Sequence, residues 1–435
     1  MKPLNNRFKF LLKIVLITII LIILLVSLWA AYIAYRSDEA PDAGRDAFYA
    51  RSIVAVPDNQ NIAVAISGIN APTRGDIIEH GRFVINTYSK AKSSEISNAI
   101  IAKKNEIRLT SNRNELMCWI SDLYDNSPAH CADEARIRTL LSENKLLLNR
   151  YALIQTLPHS QGVIKNVATI LDVNDLLAAE IKLDVKNKKS EAAYAKWINN
   201  QRFIDRAIAL HGDIVNRGLF VSIYGISLDT LEFMLFESPD MIKQHGDELL
   251  TLLEPVGLEK YNIKGMLKIE HQSSQQHVIQ MHLASKEIYP EYIANREYRA
   301  QLNFLKEAQK NPFNYEESEN KLYEQYYYIG GNARTLDWLN PLSSILSKVS
   351  VNGVLRGFTF IKSMHSKNSL AKLLNLKIKI HQQNISDAYI QAFLNSAGSE
   401  YFNPFTNKPM RWDAVNRVLV CDKPNSDKRP VEVRL

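Results

Sequence analysis

Residues 133–157 read DEARIRTLLSENKLLLNRYALIQTL, and this stretch decides the fold class. Its apolar side chains recur at spacings of three and four residues, which places them on one face of an α-helix. They are Ile137, Leu140, Leu141, Leu147, Leu148, Tyr151 and Ile154, and Pro158 ends the pattern. The spacing therefore predicts a helix that buries one face against the rest of the protein.

The same pattern continues towards the carboxyl terminus with short connections. It predicts helices over about 173–189, 190–210, 213–224, 228–236 and 241–253. Because short connections favour antiparallel neighbours, we interpret residues 53–260 as a helical lobe, either a bundle or an array. A second mainly helical lobe is expected over 261–400, with helices near 343–349, 369–383 and 387–397 and a long ordered Tyr-rich loop over 310–340.

The chain ends in a different pattern. Residues 410–421 alternate short apolar runs with a polar turn, which predicts a small β-hairpin within a segment spanning 401–421. Residues 422–435 are charged and are expected to be a loose tail. The predicted fold class is mainly α, with a small C-terminal β-hairpin.

An apolar segment near the amino terminus adds a further element. Residues 14–35, IVLITIILIILLVSLWAAYIAY, contain no charged residue and at about 1.5 Å per residue exceed the roughly 30 Å of a bilayer's hydrocarbon core. A cleaved signal peptide is the alternative, but its apolar region is shorter and ends in small residues, whereas Trp29, Tyr32 and Tyr35 stand here. We therefore expect a transmembrane helix that contacts the lipid bilayer through residues 14–35.

Charge predicts the orientation of this helix. The four basic residues before it lie in residues 1–13, and the chain after Arg36 opens with acidic residues, so the amino terminus is expected to be cytoplasmic. Residues 36–52 are interpreted as a linker. The protein is then a single-pass protein of the inner (plasma) membrane, with the C-terminal domain periplasmic or otherwise extracytoplasmic.

The net charge of +7 follows from the same division. Residues 1–36 hold five of the 53 basic residues and none of the 46 acidic ones, so the other 399 residues carry 48 against 46. The basic excess is typical of a cytoplasmic flank and does not indicate a nucleic-acid partner.

Cysteine spacing provides one covalent prediction. Cys118 and Cys131 are separated by twelve residues that include a turn signal, Asn126-Ser127-Pro128. In an oxidising compartment we expect them to form a disulfide, which the chain-entropy model values at about 3 kcal/mol. Cys421 is left over.

Catalytic motifs are missing from the sequence. It contains no GxSxG, Walker A, GxGxxG, HExxH or EF-hand pattern, so whether the protein is an enzyme stays uncertain and we lean against it. Glu270, His271, His277 and His282 are metal-ligand types, but their spacing fits no ligand set and favours a solvated polar face. No metal and no cofactor is expected.

An aromatic cluster is the one candidate binding surface. It consists of Tyr323, Tyr326, Tyr327, Tyr328 and Trp338, which could stack on the sugar rings of an envelope glycan, with Glu316, Glu317 and Glu319 nearby. The alternative, which we favour, is that the rings pack the loop onto the helical lobe.

Residues 401–421, YFNPFTNKPMRWDAVNRVLVC, contain the most distinctive motif. It resembles a DPFTGKPMxWD-like ending found in bacterial proteins of unknown activity that have one amino-terminal membrane helix and a helical exported region. Asn403 and Asn407 replace the usual Asp and Gly. The resemblance covers about twenty residues and implies no activity. Two prolines and Trp412 favour a structural clasp over a binding site.

Two functions follow from these features. The first is a non-enzymatic scaffold or assembly partner, with a protein partner in the membrane or envelope. The alternative is an envelope-associated hydrolase or glycan-binding protein.

Overall fold

The structure is a computed structural model, and it describes part of the chain. The described residues are 6–35, 40–50, 56–90, 106–109, 115–116, 119, 132–159, 164–209, 214–255, 261–284, 288–310, 315–325, 341–423 and 430–435.

Helices dominate these residues, as the sequence predicts. They are α1 Asn6–Tyr35, α2 Arg45–Tyr49, α3 Ile62–Ser67, α4 Ile77–Lys90, α5 Glu134–Glu143, α6 Lys145–Gln155, α7 Val167–Lys186, α8 Ser190–Ala209, α9 Ile214–Glu237, α10 Asp240–Leu252, α11 Ile263–Ala284, α12 Pro290–Ala308, α13 Tyr315–Tyr323, α14 Pro341–Gln382 and α15 Ile390–Ser396.

The helical stretch at 133–157 buries the face that its spacing predicts. Ile137, Leu140, Leu147 and Ile154 are all fully buried. The stretch forms two helices instead of one, because α5 ends at Asn144, whose side-chain amide donates to Leu140 O at 2.9 Å. The amphipathic pattern is confirmed, and the break at Asn144 is new.

Two pairs of predicted helices are in fact single helices. Segments 213–224 and 228–236 join in α9, and 343–349 and 369–383 join in the 42-residue α14. Gly225 lies inside α9 where Lys367 of α14 approaches so closely that a Cβ would overlap it. The glycine therefore allows a close helix contact and does not end the helix.

The C-terminal hairpin is confirmed and extended. Strand β1 Arg411–Asp413 pairs antiparallel with β2 Val418–Cys421, and Trp412 is opposite Leu419. A third strand, β3 Val431–Arg434, pairs with β2 and places Val433 opposite Leu419. The tail was expected to be loose from 422 onwards, and the structure differs because Val431 and Val433 alternate with charged residues, as in a half-buried strand.

The Tyr-rich region also differs from its prediction as a loop over 310–340. Residues 315–323 of this region form the helix α13. Its Tyr315, Ser318 and Leu322 are buried at spacings of three and four residues. Glu316 and Glu317 occupy its first turn, where acidic side chains are favourable. Residues 326–340 lie outside the described part of the chain.

The chain divides into two compact units with discontinuous segments. One contains 1–50, 271–303 and 321–354, and the other contains 51–270, 304–320 and 355–435. The larger unit has a core in which α7 packs against α5, α6, α8 and α9. Trp197 of α8 is fully buried there and donates to Ser227 O of α9 at 2.9 Å. The continuous lobes at 53–260 and 261–400 stay a prediction.

Candidate functional site

Two helices of the described chain are strongly apolar, and they differ in burial. α1 is 30 residues long, and every side chain from Lys13 to Trp29 is exposed, the large apolar ones by 44–64%. α9 is the described helix whose length and composition suit a membrane span. However, 67% of its apolar 18-residue stretch is buried inside the protein.

The polar groups of α9 indicate a core helix. Its buried Arg217 donates to the backbone oxygen of Tyr261, and its Ser227 hydroxyl donates to Gln201 Oε1 at 2.9 Å. Because the chain itself satisfies these groups, α9 needs no lipid around it. Among the described residues, the apolar side chains of α1 from Ile14 to Leu28 are exposed instead of buried.

Residues 40–50, which we call the anchor-proximal segment, follow α1 after four residues. The sequence places them in a linker at 36–52, and the structure describes a turn and a short helix within residues 40–50. The segment makes a turn and then α2, in which Arg45 and Phe48 are buried. Gly44 has φ 81°, a left-handed conformation that glycine adopts without strain.

Asn295 of α12 holds the first half of this segment. Its Oδ1 accepts from the backbone N of Asp42 at 2.9 Å and from Arg45 Nη1 at 2.9 Å, and its Nδ2 donates to Ala40 O at 2.8 Å. The Asn295 side chain is fully buried, so these bonds replace water that it cannot reach.

Charged pairs reinforce the same contact. Arg45 pairs with Glu291, and Asp42 accepts two hydrogen bonds from Arg299 at 2.6 and 2.7 Å. Burial alone would lower the pKa of Arg45, but the hydrogen bond and charge of Glu291 outweigh it and raise that pKa. Arg299 is half exposed, so its ion pair with Asp42 fixes the orientation of the segment more than it stabilises the fold.

The second half of the segment packs on α11 and α12. The Tyr49 ring stacks on His271 with centroids 3.5 Å apart, and its hydroxyl donates to Gln301 Oε1 at 3.0 Å. Phe48 packs edge-on against Tyr298 at 5.4 Å. Burial, together with the charge of Glu297, raises the pKa of Tyr49.

His271 belongs to a buried polar cluster with Glu297. Its Nδ1 lies 3.3 Å from Glu297 Oε1, within ion-pair distance but not aligned for a hydrogen bond. Glu297 also accepts from Ser350 and, at 3.1 Å, from Gln301 Nε2. The solvated face expected for His271 is therefore wrong, since only 7% of the residue is exposed.

This cluster has a histidine and a carboxylate but not the geometry of an activated nucleophile. Ser350 donates to Glu297, and its hydroxyl lies 3.0 Å from that of Ser274. A nucleophilic serine would have to donate to the histidine. The contacts of Glu297 with Ser350 and Gln301, and of Tyr49 with His271 and Gln301, instead hold three helices and the anchor-proximal segment together.

The candidate glycan residues are only partly described. Tyr323 is half buried and donates to Asn352 Oδ1 at 3.0 Å, whereas Tyr326, Tyr327, Tyr328 and Trp338 lie outside the described residues. Of the neighbouring carboxylates, Glu316 and Glu317 are exposed and Glu319 accepts from Lys362 Nζ at 3.1 Å. Across the described chain, no three His, Cys, Asp or Glu residues form a metal-binding group.

Both cysteines of the predicted disulfide lie outside the described residues, and no disulfide joins residues within them. Their described neighbours are in contact. Trp119 Nε1 donates to Ala132 O at 2.7 Å, and Ala132 N donates to Glu115 O at 3.2 Å. The third cysteine, Cys421, is buried with a free thiol, and burial raises its pKa to about 11.

No family model, curated protein or solved structure matches the chain. The anchor-proximal contact must therefore be interpreted from its own geometry. Sequence reasoning missed it because Asp42 and Arg299 are 257 residues apart. The one available signal was the density of charged and aromatic residues at 42–49, which is unusual for a flexible linker.

Proposed function

We propose that this protein is a single-pass inner-membrane protein whose helical extracytoplasmic region is a scaffold or assembly partner. α1 is the anchor, and its amino terminus is cytoplasmic. The observation that carries the proposal is the exposure of the apolar side chains from Lys13 to Trp29, which would be unfavourable in water.

The anchor-proximal segment supports a scaffold role. Only residues 36–39 separate Tyr35 of α1 from Ala40, whose backbone oxygen accepts from Asn295. Five chain steps extend over at most about 18 Å. The segment therefore keeps α12 close to the end of the anchor, and a partner bound to this unit would be held near the membrane.

The proposed location outside the cytoplasm favours the Cys118–Cys131 disulfide. The contact between Trp119 and Ala132 supports the bridge, because each is the chain neighbour of one cysteine. Peptide mapping of the full-length protein from membranes, with and without reduction, tests it. A linked pair is expected before reduction, and free thiols at both positions in protein purified with a thiol-blocking reagent would contradict it.

The scaffold role is tested by crosslinking in intact membranes, followed by affinity purification of the full-length protein and mass spectrometry. We expect one protein to be recovered reproducibly, with crosslinks to the extracytoplasmic region. Repeated recovery of the protein alone would contradict the scaffold role. A matched control carries the substitutions Ile20→Val and Ile23→Val in the anchor, which preserve its apolar character and should leave the partner unchanged.

A further inference from the structure

Lys377 of α14 is a buried amine without a hydrogen-bond partner. Only 1% of the residue is exposed, and among the described residues no group forms a hydrogen bond with its Nζ. Lys372, on the same helix and also buried, instead donates to Phe402 O at 3.2 Å. A buried amine without a hydrogen bond is unfavourable for the fold, because it loses its water and gains no replacement. Such a group indicates a role other than stability.

Three residues near this amine connect it to the surface. Lys377 Nζ lies 5.9 Å from the ring centroid of Phe236, and Arg434 Cζ lies 4.6 Å from the same centroid. Glu232, one turn before Phe236 in α9, accepts from the backbone N of Arg434 at 3.2 Å. Phe236 and the Arg434 side chain are each 43% exposed, and the Glu232 side chain is 18% exposed. The amine is therefore buried beneath side chains that themselves reach the surface of the larger unit.

Burial makes this amine more reactive at neutral pH. It lowers the pKa of Lys377 from 10.5 to about 8, an effect that the charge of Glu232 opposes and the charge of Arg434 strengthens. Burial also raises the pKa of Glu232, although the hydrogen bond from Arg434 and the charge of Lys377 oppose it. At pH 7.5 about a quarter of an amine of pKa 8 is neutral, against roughly 0.1% of an ordinary exposed lysine. The neutral amine is the form that attacks a carbonyl carbon.

The surrounding charges favour an uncharged ligand. With the amine neutral, Glu232 and Arg434 balance each other. Further out, Asp229 and Arg417 add one charge of each sign, and burial lowers the pKa of His381 below 6.5, so this histidine is neutral at pH 7.5. An anion would gain little attraction from this set. A carbonyl group needs only the lone pair of the amine and a nearby carboxyl group that exchanges a proton.

We propose that Lys377 is the nucleophile of a site for a small carbonyl compound, an aldehyde or ketone, which it holds as an imine. The compound reaches Nζ when the Arg434 side chain moves off Phe236. Nζ adds to the carbonyl carbon, and a proton passes from the nitrogen to the oxygen, which becomes a hydroxyl group. The hydroxyl leaves as water with a proton from Glu232, which regains one from the nitrogen as the C=N bond forms. This site does not depend on the anchoring by α1.

Reductive trapping tests the site in the full-length protein purified in detergent. Acetaldehyde with cyanoborohydride converts each imine into a stable ethyl adduct, and mass spectrometry maps the labelled lysines at low conversion. The neutral fraction of Lys377 at pH 7.5 is about 200-fold larger than that of an exposed lysine. Burial offsets part of this advantage, so we expect labelling at least about tenfold faster than at Lys243, whose side chain is 83% exposed. Lys372, which is hydrogen-bonded, should stay unlabelled.

The dependence on acetaldehyde concentration separates a binding site from a merely reactive amine. If the compound binds before it reacts, the labelling rate at Lys377 should saturate, whereas the rate at Lys243 should stay proportional to concentration. Lys377→Met should abolish the fast adduct and leave the labelling of Lys243 unchanged.

A second variant connects the reactivity to Glu232. Glu232→Gln removes the charge that stabilises the ammonium form, so the pH of half-maximal labelling at Lys377 should move below 8. Glu237→Gln, at an exposed position of the same helix, is the matched control and should leave this pH unchanged. Circular dichroism checks that the variants keep their helices.

The opposite results would overturn the site. Labelling of Lys377 no faster than that of Lys243, or a rate that stays proportional to acetaldehyde, would show that no carbonyl compound is bound there. A half-maximal pH that does not move in Glu232→Gln would remove Glu232 from the reaction and contradict the proposed mechanism. If Glu232→Gln loses its helices, the rate ratio and the saturation in the unsubstituted protein decide the question.

Discussion

α1 and α9 are both long apolar helices, yet the structure gives them opposite surroundings. In α9, 14 of 24 residues are buried, and its polar groups bind within the chain. In α1, the described side chains from Lys13 to Trp29 are all exposed. The difference shows that apolar composition alone does not separate a core helix from an exposed one, whereas the buried polar partners of α9 identify it as a core helix.

Charging the anchor should have the largest effect. Two substitutions, Ile20→Arg and Ile23→Arg, place charges near the middle of α1, and insertion would cost roughly 5–7 kcal/mol. We expect loss of the protein from the membrane fraction after carbonate extraction. The Ile20→Val and Ile23→Val pair should stay in that fraction. If the arginine variant also stayed, α1 would not be the anchor.

Truncating a buried side chain of α9 should lower the free energy of unfolding and leave the protein in the membrane fraction. Leu228 is fully buried, and Leu228→Ala should lower the free energy of unfolding by about 2–5 kcal/mol. Val215, in the same helix, is 62% exposed, and Val215→Ala should change it by less than about 0.5 kcal/mol. Urea unfolding in detergent measures both. Equal effects would mean that α9 is not a core helix.

Acid should weaken the α9-containing unit selectively. Burial, aided by the charge of Lys372, lowers the pKa of His365 from 6.5 to about 4. The unfolded chain therefore takes up a proton first, and stability present above pH 6.5 is lost as pH falls towards 4, by at most about 3 kcal/mol.

The pH dependence is measured by urea unfolding between neutral pH and pH 4.5. His365→Gln should flatten it, and the matched change His277→Gln, at an exposed histidine of α11, should not. An unchanged slope in His365→Gln would refute the assignment to His365.

Loosening the anchor-proximal segment should have the smallest effect. Asn295→Ala removes the hydrogen bonds to Ala40, Asp42 and Arg45, at a cost of about 1–3 kcal/mol. We expect trypsin to cleave after Arg45 faster, while the protein stays in the membrane fraction. Gln272→Ala, at an exposed position, is the control. Equal cleavage rates would mean that the segment does not depend on Asn295.

Local patterns predicted most of this fold. The spacing of Ile137, Leu140 and Leu147 identifies a buried helix face, and the hairpin around Trp412 follows from short alternating runs. The ends of helices were harder to predict from the sequence. Gly225 favours a helix end by local preference, but in the structure it lies inside α9 and permits a close contact with Lys367. Tertiary approach overrides propensity at such positions.

The candidate site could not be predicted for a related reason. Asp42, Asn295 and Arg299 come from distant parts of the chain, so no spacing connects them. His271 was assigned to a polar face because its neighbours are Gln and Ser, whereas stacking on Tyr49 buries it. Only the folded chain brings these residues together.

The most direct test of this account is the side of the membrane that the larger part of the chain occupies. Alkaline phosphatase is fused after Leu435, and a cytoplasmic fluorescent reporter is fused at the same position in a second strain. The account predicts an active phosphatase and a dark reporter. An inactive phosphatase with a fluorescent reporter would reverse the orientation of α1 and contradict both the extracytoplasmic location and the disulfide.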